Sequence, residues 1–349
     1  MLTRKKIQGM LVGGAIGDAL GRPVECMSFE QACQNYPKGV TEYLPPKNNK
    51  WFKDTKTGVI TDDTQLSLAI FKALIRGGGF SMPMIALYHI KALEETVEGW
   101  APTTKEAVQR LATGIHWSES GKTKETNRGA GNGVVMKISP LGAWYATQKM
   151  KWFRFADKVV KFSGMTHYTQ NSAIAGVVHA TVISQLLWSD ISYFSKEDVW
   201  NTVRQSLNGK PFKRSRKNRD HYVLGDLLEI KNYPTIQEKF NFLSENPEAS
   251  IAELIRYYKN GNSEVVNSLP FSYALFLRNP FSVETIFNAA AMGGDADTNA
   301  KLVGEMIGAL HGIEIFQEKR YNHLLTGLES YDQLIKVTNL FCDKFGVKD

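Results

Sequence analysis

Residues 293–312 read Gly-Gly-Asp-Ala-Asp-Thr-Asn-Ala-Lys-Leu-Val-Gly-Glu-Met-Ile-Gly-Ala-Leu-His-Gly. Leu302, Val303, Met306, Ile307 and Leu310 recur at the spacing of one apolar helical face, not at the alternation of a strand. Gly312 follows the last of them, where a left-handed residue ends a helix. The same periodicity is carried by Leu66, Ala69, Ile70, Ala73 and Leu74, stopped by Gly77, Gly78 and Gly79. It returns in Val108, Leu111, Ala112 and Ile115, and in Ile174, Val177, Val178, Thr181 and Val182. Strand-like alternation is confined to short runs such as residues 40–44, so the chain is read as all-α. No repeat, Pro/Ser-rich linker or shift of composition marks a boundary. One domain over residues 1–349 is expected, with a polar insertion at about 208–262.

The chain has 349 residues, 43% apolar and 22% charged, enough to fill a core and to exclude a disordered or disulfide-scaffold protein. Its most apolar run, 173–187, is broken by His179, Thr181 and Gln185 and falls short of the roughly 20 residues a bilayer demands. No membrane contact is expected. Cys26, Cys33 and Cys342 lack CxxC spacing, which suits a reducing, cytoplasmic compartment and disfavours a thiolate zinc site. Arg4, Lys5 and Lys6 before an apolar stretch imitate a signal peptide, but Asp18 and Gly13, Gly14, Gly17 and Gly21 weaken that reading. The net charge is +7, and Lys210, Lys213, Arg214, Arg216, Lys217 and Arg219 crowd into one stretch. That stretch reads as a solvated loop or, alternatively, as a patch for nucleic acid or another polyanion.

The chemistry-bearing residues sit at two helix starts. Thr61, Asp62, Asp63 and Thr64 open one helix; Asp295, Asp297 and Thr298 open another. Capping a helix needs one such residue. Four carboxylates gathered in one place would repel by about 4 kcal/mol per close pair at an effective dielectric of about 20, a cost that cations remove. Oxygen-only donors match hard ions, Mg²⁺ or Mn²⁺, rather than zinc. A calcium loop counted from Asp295 fails, because its sixth position is Ala300 and its twelfth Met306. The residues alone leave two readings open: separate caps, or one shared dimetal site.

Gly13, Gly17 and Gly21 recur every four residues, as on a helical face built for close packing or in a flexible loop. Gly129, Gly131 and Gly133 form GxGxG with no preceding strand, so a dinucleotide site is disfavoured, although their backbone N–H groups could cradle an anion. On its own, Glu25 reads as an exposed carboxylate beside Pro23, and His167 as a core or capped imidazole. Trp51, Trp100 and Tyr168 carry no assignment.

Five blocks in order carry a family resemblance: Gly13-Gly-Ala-Ile-Gly-Asp-Ala-Leu-Gly-Arg-Pro-Val-Glu25, Ile60-Thr-Asp-Asp-Thr64, Gly131-Asn-Gly-Val-Val-Met136, Thr166-His167 and Gly293-Gly-Asp-Ala-Asp-Thr-Asn299. From about residue 7 to 312 the chain resembles the ADP-ribosylglycohydrolase family. The resemblance implies a compact orthogonal helical bundle with two divalent cations, Mg²⁺ or Mn²⁺. Thr61, Asp62, Asp63, Asp295, Asp297 and Thr298 match the metal-ligand positions. Glu25 matches a catalytic or gating glutamate, and Gly129, Gly131, Asn132, Gly133 and His167 match the ADP-ribose-binding segment. Two departures stand out. Lys137 replaces an arginine common among relatives, and segment 99–104 (Gly-Trp-Ala-Pro-Thr-Thr) lacks an aspartate that some bacterial relatives use in catalysis. The implied activity is hydrolysis of the N- or O-glycosidic bond of an ADP-ribosylated protein or small-molecule acceptor. The alternatives are a dimetal phosphoester or nucleotide hydrolase and a non-catalytic ADP-ribose-binding relative.

Overall fold

Glycine on two facing helices sets the architecture. The computed structural model describes residues 1–47, 49, 52, 56–95, 99–123, 129–208, 227–230 and 233–349. In chain order its helices are α1 (Arg4–Gly21), α2 (Phe29–Asn35), α3 (Asp62–Gly77), α4 (Met82–Glu95), α5 (Pro102–Ala112) and α6 (Trp117–Ser120). There follow α7 (Ser139–Ala146), α8 (Trp152–Thr166), α9 (Gln170–Trp188), α10 (Lys196–Asn208), α11 (Ile236–Glu245) and α12 (Ile251–Tyr257). The last six are α13 (Val265–Arg278), α14 (Glu284–Ala290), α15 (Ala296–His311), α16 (Glu314–Gln317), α17 (Asn322–Thr326) and α18 (Tyr331–Phe345). Among the described residues β-structure is limited to two isolated bridges, Gly131 with Glu264 and Thr169 with Leu228, and residues 40–44 form no strand. The all-α reading holds.

The four-residue glycine spacing resolves as a helix. In α1, Gly9, Gly13, Gly17 and Gly21 lie against Gly308, Gly304, Ala300 and Ala296 of α15, running in opposite directions. A Cβ on any of these four glycines would lie inside 3.0 Å of α15 backbone, closer than real Cβ atoms come. The helices therefore touch backbone to backbone. Every residue of α15 from Ala296 to Leu310 is buried, because α1, α9, α13 and α14 surround it. Burial on all sides makes α15 the core helix, and the charges it carries there are paired, Lys301 with Glu305. Of the stop signals, Gly78 (φ 66°, ψ 22°) caps α3 in the left-handed region as expected, whereas Gly312 (φ 85°, ψ 178°) ends α15 at positive φ with an extended ψ.

Within the 208–262 stretch, Ile236, Phe240, Leu243, Leu254 and Tyr258 are buried, and α11 and α12 pack on α13. The basic run from Lys210 to Arg219 lies outside the described residues. Among the described residues no helix is long and apolar enough to cross a membrane.

Replacing Gly17 with Ala should separate α1 from α15 and lower stability by about 2 kcal/mol or more, a fall of roughly 3 °C or more in Tm for a chain of this length. Gly77→Ala is the control: its Cβ would meet Met84 and Ser81 at 3.6 Å, an ordinary contact, and should leave Tm unchanged or raised. Thermal denaturation followed by circular dichroism checks both; equal melting of the two variants would sink the packing argument.

Candidate metal centre and active-site cavity

The α1–α15 contact carries a carboxylate to the start of a third helix. Asp18, on α1 beside Gly17, is fully buried, and its oxygens accept from Thr61 N at 3.0 and 3.1 Å and from Thr64 N at 3.1 Å. Orphan N–H groups of α3 are thus satisfied by another helix, while Thr61 Oγ1 accepts from Asp63 N at 3.3 Å. The carboxylates of Asp62 and Asp63 are released from capping. Asp62 Oδ2 is buried without a hydrogen-bond partner, and Asp63 Oδ2 accepts from Thr298 Oγ1 at 2.8 Å across 235 residues of chain. The two acidic helix starts converge.

The second start is held by a backbone stitch. Gly293 and Gly294 adopt left-handed φ of 72° and 66°. A side chain at Gly294 would collide with the Asn260 carbonyl, so glycine is required there. Cys26 N donates to Gly294 O at 2.6 Å and Gly294 N to Met27 O at 2.7 Å. This turn places Glu25 so that ligand oxygens of Glu25, Asp295 and Asp297 lie within 4.8 Å of one another. Asp295 makes no cap hydrogen bond through its side chain; its Oδ2 accepts instead from Asn132 Nδ2 at 3.1 Å.

Burial and mutual repulsion dominate the electrostatics. Asp62 is pushed up to about 8 by burial and then by Asp18 and Asp295, with Lys137 opposing. Glu25 is pushed up to about 8 by burial, then by Asp295, Asp62 and Asp18. Burial, followed by neighbouring carboxylates, raises Asp63 and Asp297 as well. Such a cluster accepts protons or cations. The oxygen-only donors, the orphaned Asp62 Oδ2 and the Glu25–Asp295–Asp297 triad fit a hard divalent metal.

These groups floor a cavity of about 680 Å³, walled by Phe29, Phe52, Trp100, Met136 and Ile255. Arg22 fixes Phe52 from behind, its guanidinium 4.4 Å from the ring centroid. Segment 99–104 supplies wall and no carboxylate: Gly99 (φ 88°) comes so close that a Cβ would sit 3.5 Å from Asp62 Oδ1.

Five of the six positions expected to hold metal, Asp62, Asp63, Asp295, Asp297 and Thr298, meet Glu25 at this floor, whereas Thr61 is not part of the lining and turns its Oγ1 to the N–H of Asp63. The substrate-binding expectation divides. Asn132 reaches the cavity wall, whereas Gly129, Gly131 and Gly133 pack behind it. Gly129 O accepts from Thr169 Oγ1 and Ser172 Oγ, both at 2.7 Å, and Asn132 N donates to Ser263 O at 2.9 Å, so that N–H is not free for an anion. His167 is 2% exposed, its ring set against Gly133. Asp18, Trp100 and Lys137 went unassigned from sequence. A carboxylate in the middle of an apolar helix was the available signal for Asp18, since a buried charge demands partners.

The sequence pattern of the ADP-ribosylglycohydrolase family matches residues 1–347. An ADP-ribosyl-[dinitrogen reductase] glycohydrolase of Rhodospirillum rubrum is 30% identical, covering 88% of this chain and 85% of its own. YegU of Escherichia coli K12 is 25% identical over 95% of this chain and 98% of its own. A solved ADP-ribosylglycohydrolase-related protein complex shares the fold, with a TM-score of 0.67, 19% identity and 98% coverage of both chains.

The carboxyl shifts set a pH dependence. Glu25 and Asp62 titrate at about 8 when folded, above ordinary values of 4.5 and 3.8, so folding favours their protonated forms. That stability is whole below about pH 4 and is lost as pH rises through about 8. Chelator-treated protein should therefore lose at least about 5 °C of Tm between about pH 5 and about pH 9, and Mg²⁺ or Mn²⁺ should flatten the profile. A metal-free Tm independent of pH over that window would count against a crowded carboxylate floor.

Proposed function

We propose that this chain, which belongs to the ADP-ribosylglycohydrolase family, hydrolyses the N- or O-glycosidic bond of an ADP-ribosylated protein or small-molecule acceptor and releases ADP-ribose. The observation that carries the reading is the Thr298 Oγ1 to Asp63 Oδ2 hydrogen bond, which joins the two acidic helix starts beside Glu25 at one end of the cavity. The name of the Rhodospirillum relative supplies the bond type.

Thr61, Asp62, Asp63, Asp295, Asp297 and Thr298 would hold two divalent cations, Mg²⁺ or Mn²⁺. When bound, these supply charge stabilisation and acidify a water at the anomeric carbon, where cleavage passes through an oxocarbenium-like state. Asn132 keeps Asp295 in place through its amide. The apolar wall excludes bulk water from the sugar, which strengthens every charge interaction at the floor. Glu25 would carry the proton: its carboxyl lies at the cavity floor within 4.8 Å of ligand oxygens of Asp295 and Asp297, placed to exchange a proton with the acceptor or with water. Nothing in this chemistry needs a membrane or an oxidising compartment, and the cytoplasm is the proposed location.

Incubation with ADP-ribosylated arginine, serine, nucleic-acid and metabolite acceptors, followed by mass spectrometry, should reveal free ADP-ribose only with Mg²⁺ or Mn²⁺ present. Phosphate or nucleotide release without glycosidic cleavage would replace the reading with phosphoester hydrolysis, and binding without turnover with a non-catalytic role.

Asp62→Ala and Asp297→Ala should each abolish turnover while circular dichroism stays helical. Glu25→Gln should lower kcat by about 10²-fold or more with little change in KM. A raised KM at normal kcat would make Glu25 a binding residue instead.

A further inference from the structure

A second cavity lies between α3 and α4, on residues that the first does not use. Its volume is about 420 Å³, within the range of small-molecule sites, and it shares no lining residue with the cavity above the carboxylates. Gln65, Leu68, Ala69 and Lys72 line it from α3 at the spacing of one helical face. Tyr88, Lys91, Ala92 and Glu95 line it from α4 at the same spacing.

The chain path fixes which residues share an end. A Cβ on Gly77 would lie 3.6 Å from Ser81 and from Met84, so the end of α3 meets the start of α4. Gly99, beyond the end of α4, sits against Asp62 at the start of α3. α4 therefore runs back along α3 and brings Glu95 level with Gln65 and Tyr88 level with Lys72. Glu329 N donates to Gly58 O at 3.0 Å, which carries Glu329 and Ser330 to the start of α3 as well.

The groove is polar at both ends and apolar between them. One end holds Glu95, Glu329, Gln65 and Ser330, and Gln65 Oε1 and Ser330 Oγ are buried without a hydrogen-bond partner. The other holds Lys72, half-buried, and Lys91, whose ammonium lies 5.1 Å from the centroid of the Tyr88 ring. Leu68, Ala69 and Ala92 separate the two. Among the described residues none of these two lysines and two glutamates is in an ion pair. Buried polar atoms are normally paired, so orphan oxygens beside two carboxylates call for a cationic donor. Two ammoniums call for an oxyanion, one for each carboxylate oxygen.

We propose that this groove binds a linear ω-amino acid, its amine on Gln65, Glu95 and Glu329 and its carboxylate on Lys72 and Lys91. Lys72 stands two turns beyond Gln65, about 10 Å along the helix axis. The ligand's charges are therefore held apart by a chain of about five methylenes lying on Leu68, Ala69 and Ala92. Adjacent charges, as in glycine, cannot reach both ends. Nothing in this site depends on the proposed hydrolysis.

The test is an NMR titration of the full chain in saturating Mg²⁺ with 6-aminohexanoate as the probe. The probe should bind with a Kd of about 1 mM or tighter. Hexanoate and hexylamine, each lacking one charge, should bind at least about tenfold more weakly. Lys72→Met and Gln65→Leu keep side-chain length and remove the ammonium or the acceptor; each should weaken the probe by about tenfold. Glu329→Gln, at an exposed position that threatens no core contact, should weaken it by about threefold or more. Asp297→Ala, which alters only the other cavity, should bind the probe as wild type does. Absence of binding, equal binding of hexanoate or hexylamine, undiminished binding by the three groove variants, or loss of binding in Asp297→Ala overturns the site.

Discussion

Backbone contact between α1 and α15 is the constraint on which the rest depends. Two helices separated by ordinary side chains sit 8–10 Å apart, whereas glycine permits a closer approach. Here Gly13 and Gly304, and likewise Gly9 and Gly308, face each other with no room for a Cβ on either side. The approach brings Asp18 to the N–H groups of Thr61 and Thr64. Asp18 caps α3 from outside, so Asp62 and Asp63 need not do so. The same contact sets the start of α15, with Asp297 and Thr298, next to α3.

Charge is the second constraint. Asp18, Glu25, Asp62, Asp63, Asp295 and Asp297 stand together, and the buried lysines near them are Lys137 and Lys301. Lys301 pairs with Glu305, which also accepts from Ser139 Oγ and lies 3.1 Å from His179 Nε2. Burial opposes ionisation of Glu305, but Lys301 and His179 outweigh it and hold its carboxyl below the ordinary range. Lys301 in turn favours the ionised forms of Asp18 and Asp63. Gly14 makes the space for Glu305, since a Cβ there would come 2.7 Å from Glu305 Cγ. The glycine face of α1 thereby accommodates the ion pair as well as the helix contact.

The cavity shows how loops are fixed to a rigid frame. Its carboxylates come mostly from helix starts, and the exception, Glu25, is tied down by the Cys26–Gly294 and Met27–Gly294 hydrogen bonds. The 129–133 loop is likewise anchored on both sides, through Thr169 and Ser172 to α9 and through Ser263 to the start of α13. Anchoring of this kind preorganises a site without requiring secondary structure at each residue.

Periodicity alone marked α3, α5, α9 and α15, and glycine chemistry marked their ends, because both are local properties of the backbone. The ligand types were local too: paired Asp and Thr at two helix starts point to a hard cation wherever those starts lie. Their meeting was not legible, since it depends on Thr298 finding Asp63 across 235 residues. The glycines at 129, 131 and 133 misled in part, for the same flexibility that could expose N–H groups to an anion here lets His167 pack against the loop. Asp18 was visible only as an anomaly, an acid in an apolar helix. Sequence by itself determined which segments would be helical and which residues could bind metal; only the tertiary structure decided that α1 delivers the cap and that α3 and α15 share one floor. Helical periodicity is written in neighbouring residues, whereas the site is made of contacts between helices whose separation is set by packing.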